Sequence, residues 1–435
     1  MSNQTDNLRT AKLIMVTANN NNKYYEMQEN GDGTFTVRYG RVGGRATTHS
    51  YPVSQWNKKY NEKTRKGYTD QTHLFAESKE EIKLADLDDK GVEKLINLLT
   101  QYAKKSIGDN YNVTADQVTR KQVEEAQEIL DQIVKLVDDK GASIKNSDQG
   151  DQDKPVKKGK KAKLSIEDLN RNLLSLYQII PRKMSNVNDH LFVQAKTKDD
   201  IEEMEKKMAE EQATLDVMRG QVEINEKTKA AAEEDKSNEI NLLEAMGMEM
   251  STVEDDAVIA KIKDLMQDEA NKFHKAFEVK NIKTQKAYDE FFAGVDDKKT
   301  ELFWHGSRNE NWMSILENGL VLRPANAVIT GKMFGYGLYF ADKFRKSLNY
   351  TSLRGSYWTG GSAKDGFLAL YEVHVGKQLH IKNHKSWCYE LSEKNLKKRG
   401  EYDSLFAEGG ADLRNNEYII YNQAQCTVKY LVQVK

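Results

Sequence analysis

Gly331-Lys332-Met333-Phe334-Gly335-Tyr336-Gly337-Leu338-Tyr339-Phe340-Ala341-Asp342 is a glycine-spaced loop that feeds a short aromatic strand. Two further stretches share its texture. Upstream, Trp304-His305-Gly306-Ser307 sets a histidine beside Gly-Ser at a strand end. Downstream, Asn416-Glu417-Tyr418-Ile419-Ile420-Tyr421 begins an apolar strand with a carboxylate. All three follow Asp296-Asp297-Lys298-Lys299, after which the chain turns to strands with glycines: LFWHGS, GLYFAD, FLALYEVHVG, EYIIYN and KYLVQV. The last domain is therefore expected to be β-rich, and its three polar stretches could converge on one cleft. Taken singly, Glu417 is read as an ordinary exposed carboxylate at a strand start.

Working outward, the chain before this domain reads as helices from about residue 85 to 293. Leu87, Val92, Leu95, Ile96, Leu98 and Leu99 recur at helical spacing, as do Val123, Ala126, Ile129, Leu130, Ile133, Val134 and Val137. A third helix runs from Ser165 to Ile179 and stops before Pro181. Ile201, Met204, Met208, Leu215 and Met218 fit either a short coiled coil or packing within the same domain, and Met246 to Met250 reads as core filling. The basic segment 154–163 lacks apolar periodicity and is read as a solvated loop, with nuclear import or polyanion binding as the functional alternative.

At the N-terminus Leu13-Ile14-Met15-Val16 reads as a buried strand. Asn30-Gly31-Asp32-Gly33 lies between KYYEMQ and TFTVRY, a hairpin signal, because tight turns need the positive φ that Gly and Asn tolerate. A helix capped by Ser54 and ended by Gly67 is expected next.

The 435 residues suggest two to four domains, and 38% apolar against 31% charged residues fits globular domains. Net charge is −1 overall but +5 over residues 1–76, −11 over 77–300 and +5 over 301–435. Any polyanion contact is thus expected at the two ends. Cys388 and Cys426 have neither CxxC nor zinc-ligand spacing, which points to no metal and a reducing, intracellular setting. No 18-residue apolar run and no signal-peptide profile occurs, so no membrane partner is expected.

Together the three C-terminal stretches resemble the H-Y-E signature of the poly(ADP-ribose) polymerase family, in order and in the flanks HGSR, MFGYGLYFAD and NEYIIYNQAQCTVKYLV. Residues 302–435 resemble its catalytic domain. Residues 92–293, with TRKQVEEAQEIL and LLSLYQIIPRKM, resemble its helical regulatory domain, and residues 23–70 its WGR domain. The resemblance implies a multidomain α+β chain of the short DNA-dependent type without zinc fingers. It comprises a small antiparallel β WGR-like module (11–76), an all-α helical regulatory domain (85–293) and a β-rich split-sheet ADP-ribosyltransferase domain (300–435).

The same resemblance makes NAD+ the substrate and assigns His305, Tyr339 and Glu417 as core site residues. His305 would bond the adenine-side ribose. Gly306, by its backbone, and Ser347, by its hydroxyl, would hold the nicotinamide carboxamide. Tyr339 and Tyr350 would sandwich the ring. Glu417 would stabilise positive charge on the ribose as nicotinamide leaves and orient an acceptor hydroxyl, with Lys346 on the acceptor side. Ser307, Asn311, Phe340 and Ala341 complete the expected NAD+ surroundings. Arg323 stands in for a basic residue absent at Val321. The name-giving Trp-Gly-Arg triplet of the WGR module reads Tyr39-Gly40-Arg41 here, and with Lys23, Arg38, Arg45 and Trp56 it is the expected DNA contact.

The expected activity is poly(ADP-ribose) synthesis dependent on DNA breaks or ends with 5′-phosphate, on protein acceptors including the chain itself. Mono-ADP-ribosylation of protein or DNA termini, or an inactive DNA-end-binding scaffold, are the alternatives. A monomer is expected, placed in the nucleus of a eukaryote or in the bacterial cytoplasm or nucleoid.

Overall fold

The computed structural model describes residues 8–75, 82–148, 165–235, 239–322, 333–353, 355–356, 359–360 and 363–435. The basic segment 154–163 and Arg323 lie outside them. The chain forms two compact units. One holds the described residues within 1–79 and 106–222, and the other the described residues within 80–105, 223–322 and 333–435.

In the first unit, strands Thr10–Thr17, Asn21–Glu29, Thr34–Arg41 and Thr47–Pro52 form an antiparallel meander, and Thr69–Asp70 adds to its other edge. Gly31 and Gly33 take φ of 79° and 82°, so the expected hairpin forms where glycine permits it. One face buries Leu13, Tyr25, Met27, Phe35 and Val37 against the helix Trp56–Arg65, whose Trp56 ring meets Phe35 edge-on at 5.1 Å. Ser54 does not cap this helix; residues Val53–Gln55 form a 3₁₀ turn that leads into it with no side-chain cap. Leu13-Ile14-Met15-Val16 is buried on both faces, as an uninterrupted apolar run requires. The helix Ile166–Ile179 packs against this strand, and Gln178 Nε2 donates to the Val16 carbonyl at 3.4 Å.

That helix starts as expected, with Ser165 Oγ accepting from the Asp168 amide at 3.0 Å. Ile201, Met204, Met208, Leu215 and Met218 on the helix Lys198–Asp235 are all buried within the unit. Beneath them lies a buried ion pair, Arg182 Nη2 to Glu211 Oε2 at 3.2 Å, each side chain 8% exposed. Residues after Pro181 are stitched to the β module. The Arg182 carbonyl accepts from Asn22 Nδ2 at 2.7 Å, and the Ser185 carbonyl accepts from Arg41 Nη2 at 2.7 Å.

The second unit is built on two sheets. The larger has the order Thr300–Ser307, Gly366–His374, Cys426–Val434, Phe273–Asn281, Met248–Thr252, and every pairing is antiparallel. Alternate side chains serve two cores. Phe367, Ala369, Tyr371 and Leu431 face a core shared with Val92, Leu95, Ile96 and Leu99 of the helix Lys90–Asn110, while Leu368, Leu370 and Val432 face Ile262, Met266, Phe344 and Leu348. The smaller sheet has the order Leu338–Phe340, Glu417–Ile420, Ser404–Ala407, Gln378–Ile381, with the last pair parallel. The mixed α+β architecture follows the sequence reading.

The expectation that residues 85–293 are all helical is corrected. Met248–Thr252 and Phe273–Asn281 are strands of the larger sheet. The alternation is present, with Phe277 and Val279 buried and Glu278 and Lys280 exposed, but it covers only about five residues between helical segments and is outweighed by them. Met246 and Met248 are core residues, as read, and Cys388 and Cys426 are buried free thiols. No helix among the described residues is long and apolar enough to cross a membrane.

Removing one partner of the buried Arg182–Glu211 pair leaves an uncompensated charge. Glu211→Ala is expected to lower stability by about 3–5 kcal/mol, read as an earlier urea midpoint; an unchanged midpoint would show that the pair is dispensable.

Candidate active site

The two sheets of the second unit are joined by a bridge beside the candidate site residues. Trp304 and Ala341 exchange main-chain hydrogen bonds, Trp304 N to Ala341 O at 2.9 Å and Ala341 N to Trp304 O at 3.0 Å. Trp304 thus turns its peptide groups away from its other neighbour, Leu370. Gly306, two residues on and opposite Leu368, turns its N–H and C=O to the same side. A Cβ at Gly306 would stand 2.0 Å from the Ser347 carbonyl oxygen, so only glycine allows this approach. Gly306 accordingly offers one donor and one acceptor side by side, the pair a primary carboxamide requires.

His305 follows Trp304 on the same strand, and its Nδ1 lies 3.2 Å from the Tyr339 carbonyl. A carbonyl only accepts, so Nδ1 carries the proton and a neutral ring leaves Nε2 as an acceptor. Burial lowers the His305 pKa and favours that neutral form. The Tyr339 hydroxyl donates to the Gly335 carbonyl at 2.8 Å and accepts the Phe334 amide at 3.3 Å. Burial first, and the Glu417 carboxylate second, push its phenol well above the ordinary range, so it stays a donor.

The short helix Phe344–Leu348 supplies Lys346 and Ser347. Lys346 Nζ lies 2.7 Å from Glu417 Oε1 and donates to the Asn416 carbonyl at 2.8 Å. Burial lowers the Lys346 pKa and the Glu417 charge opposes that shift. Lys346 is 14% and Glu417 17% exposed, so neither is a free surface charge. The Ser347 hydroxyl donates to the Trp304 carbonyl at 3.2 Å and keeps its lone pairs. Tyr350 is 53% exposed, an open ring at the rim. Asn311 Nδ2 donates to Ser307 Oγ at 3.0 Å at the end of the His305 strand.

Phe340 and Ala341 are buried beside the bridge that joins the two sheets. Each is 2% exposed; Phe340 packs against Tyr371 at 5.6 Å and Ala341 forms the bridge to Trp304. Asn416 and Asp342, quoted within the motifs but given no role from sequence, are hydrogen-bonded at 2.8 Å directly behind Glu417. Their position beside site residues in the sequence was the available signal. Among the described residues, no group of three or more His, Cys, Asp or Glu side chains forms a metal site.

In the N-terminal module Arg38 and Arg45 are exposed and Lys23 is partly so. Trp56, expected as a surface contact, is 6% exposed and belongs to the core. Tyr39 is half-buried between Tyr25 at 5.7 Å and His49 at 5.9 Å, with Lys63 Nζ 5.6 Å from its ring. Gly40 pairs with Tyr24 within the sheet. Arg41 is committed to the fold: besides the Ser185 carbonyl it donates to the Asn20 carbonyl at 2.9 Å and to Asn20 Oδ1 at 2.8 Å.

Comparison with known proteins finds the poly(ADP-ribose) polymerase catalytic domain over residues 256–435 and the WGR domain over residues 10–74. The poly(ADP-ribose) polymerase-like protein 100L of Invertebrate iridescent virus 6 is 34% identical over 170 residues, covering 38% of this chain and 87% of that protein. The uncharacterized protein 101L of the same virus is 32% identical over 214 residues, 49% of this chain and 78% of its own length. Poly(ADP-ribose) polymerase 2 of Arabidopsis thaliana is 33% identical over 169 residues, and the match spans only 26% of that longer protein.

The buried His305 ring carries a pH prediction. Its folded-state pKa is depressed, so the neutral ring contributes fully above the ordinary value of about 6.5 and that contribution is lost as pH falls through the lower folded value. An NMR titration of the His305 ring is expected to give a midpoint below 6.5, and a midpoint at or above it would contradict the neutral acceptor assignment.

Proposed function

We propose that this chain, which belongs to the poly(ADP-ribose) polymerase family and is an NAD+ ADP-ribosyltransferase, elongates poly(ADP-ribose) on protein acceptors in response to DNA ends, with Glu417 as its catalytic residue. The observation that supports the reading is that His305, next to Gly306, lies 3.2 Å from the Tyr339 carbonyl, and that the strand of Tyr339 pairs with the strand that Glu417 begins.

Each residue has a physical task. The Nε2 acceptor of His305 suits a ribose hydroxyl on the adenine side. The Gly306 peptide groups, with the Ser347 hydroxyl, suit the nicotinamide carboxamide. Tyr339 and the open Tyr350 ring suit the two faces of the nicotinamide. Glu417 would accept from the nicotinamide-side ribose hydroxyl and lower the energy of positive charge that develops on that sugar as the bond to nicotinamide breaks. The same carboxylate, held by Lys346 at 2.7 Å, would orient an incoming ribose hydroxyl. That second task favours polymer growth over a single transfer.

DNA dependence rests on the WGR match and on the +5 charge of residues 1–76. Phosphate contacts would come from the exposed Arg38 and Arg45 and from Lys58 and Arg65 on the helix beside the sheet. Tyr39, Arg41 and Trp56, being occupied within the fold, would act by shaping that surface.

Glu417→Gln is expected to lower nicotinamide release by about 10²–10³-fold; near-native release would remove Glu417 from the chemistry. Labelled NAD+ incubated with and without 5′-phosphorylated blunt or nicked DNA checks the rest in one gel. Faster turnover with DNA and a ladder of products are expected. Equal rates would remove the DNA requirement, and a single sharp band would assign mono-ADP-ribosylation.

A further inference from the structure

Asp342 closes the glycine-spaced stretch and takes no part in the chemistry above, yet its carboxylate lies directly behind Glu417. Its Oδ2 accepts from Asn416 Nδ2 at 2.8 Å and from the Tyr418 hydroxyl at 3.4 Å. These are the residues immediately before and after Glu417. Along a strand, residues i−1 and i+1 project to the face opposite residue i. A single carboxylate that holds both neighbours therefore fixes the face onto which Glu417 projects.

Each arm of this clamp is itself anchored. The Asn416 Oδ1 accepts the Gly409 amide at 2.9 Å, and the Asn416 carbonyl accepts Lys346 Nζ at 2.8 Å, the same ammonium that pairs with Glu417. The Tyr418 ring stacks on Phe303 at 4.1 Å and on Phe406 at 4.9 Å, so its hydroxyl has little freedom. Burial first and Asp342 second push the Tyr418 phenol up to about 12, which keeps it a donor. The other Asp342 oxygen, Oδ1, is buried and has no hydrogen-bond partner among the described residues. An unsatisfied buried carboxylate oxygen is costly to retain, and a purely structural link between Asn416 and Tyr418 does not require a charge.

We infer that Asp342 is the positioning residue for Glu417, setting its rotamer and its distance from Lys346 through Asn416 and Tyr418. This rests on the reading of Glu417 as the catalytic carboxylate. The acceleration that Glu417 provides depends on sub-ångström placement, and loss of the clamp lowers turnover without changing how NAD+ is held by the His305 and Gly306 side of the cleft.

The test is a double-mutant cycle in the full chain, with nicotinamide release from labelled NAD+ and thermal melting measured for every variant. Asp342→Asn is expected to reduce kcat by about 10- to 100-fold with KM for NAD+ little changed. In the Glu417→Gln background the same substitution is expected to cost nothing further, because both act on one step. Tyr418→Phe keeps the stacked ring and removes one arm; it should show a smaller loss of the same kind, and it supplies the cycle if Asp342→Asn does not fold. Native kcat in these variants, an effect confined to KM, or an equal loss with and without Glu417 would overturn the positioning role. Native turnover of Glu417→Gln alone would instead overturn the catalytic reading, a separate outcome.

Discussion

The paired main-chain hydrogen bonds between Trp304 and Ala341 are the joint on which the catalytic half depends. They connect an edge strand of the larger sheet to an edge strand of the smaller one. Two such bonds contribute only about 1 kcal/mol each, so the joint needs support from packing. It has it: the Trp304 ring is 1% exposed, meets Phe344 edge-on at 4.9 Å, and its Nε1 donates to the Leu265 carbonyl at 3.0 Å. From this fixed point the site follows by strand geometry. His305 comes next to Tyr339, Gly306 turns its peptide groups into the cleft, and Asp342 arrives one residue past the bridge, behind Glu417.

Much of this was legible in the sequence because the determinants are local. The turn at Gly31 and Gly33, the Ser165 cap and the strand character of LYF and EYII depend on residues close together in the chain. The convergence of the three polar stretches came from their resemblance to a family signature, since spacing alone cannot bring Trp304 to Ala341. Two strands, Met248–Thr252 and Phe273–Asn281, were read as helical although both carry an alternation of burial, because it runs for only about five residues in each and stands between helical segments. Lys346 was placed on the acceptor side by resemblance alone. Its burial depends on Asn416 and Glu417, 70 residues away, and no local pattern reports that.

In the N-terminal module the name-giving triplet is packed into the fold. Tyr39-Gly40-Arg41 stands in the name-giving position of the WGR match, but its aromatic ring is packed beside Tyr25 and His49 and its guanidinium is engaged by Asn20 and Ser185. Composition predicted basic residues interleaved with aromatics. In the fold several of those aromatics lie under lysines, with Lys59 Nζ 4.4 Å from the Tyr51 ring and Lys63 Nζ 4.4 Å from Tyr25. Cation–π contacts of this kind order the long side chains and keep basic groups close to the module surface.

The larger sheet also constrains how the protein is made. Its central strand, Cys426–Val434, lies between Gly366–His374 and Phe273–Asn281, so residue 434 must be delivered before the two outer strand pairs are joined into one sheet. Until then the strands drawn from residues 248–374 wait with open edges and uncovered apolar faces, the condition that invites misassociation of nascent chains. The helix Lys90–Asn110, synthesised long before, carries part of the apolar surface that this sheet eventually covers. The larger sheet of the catalytic half therefore closes only once the strand latest in its sequence order has been made.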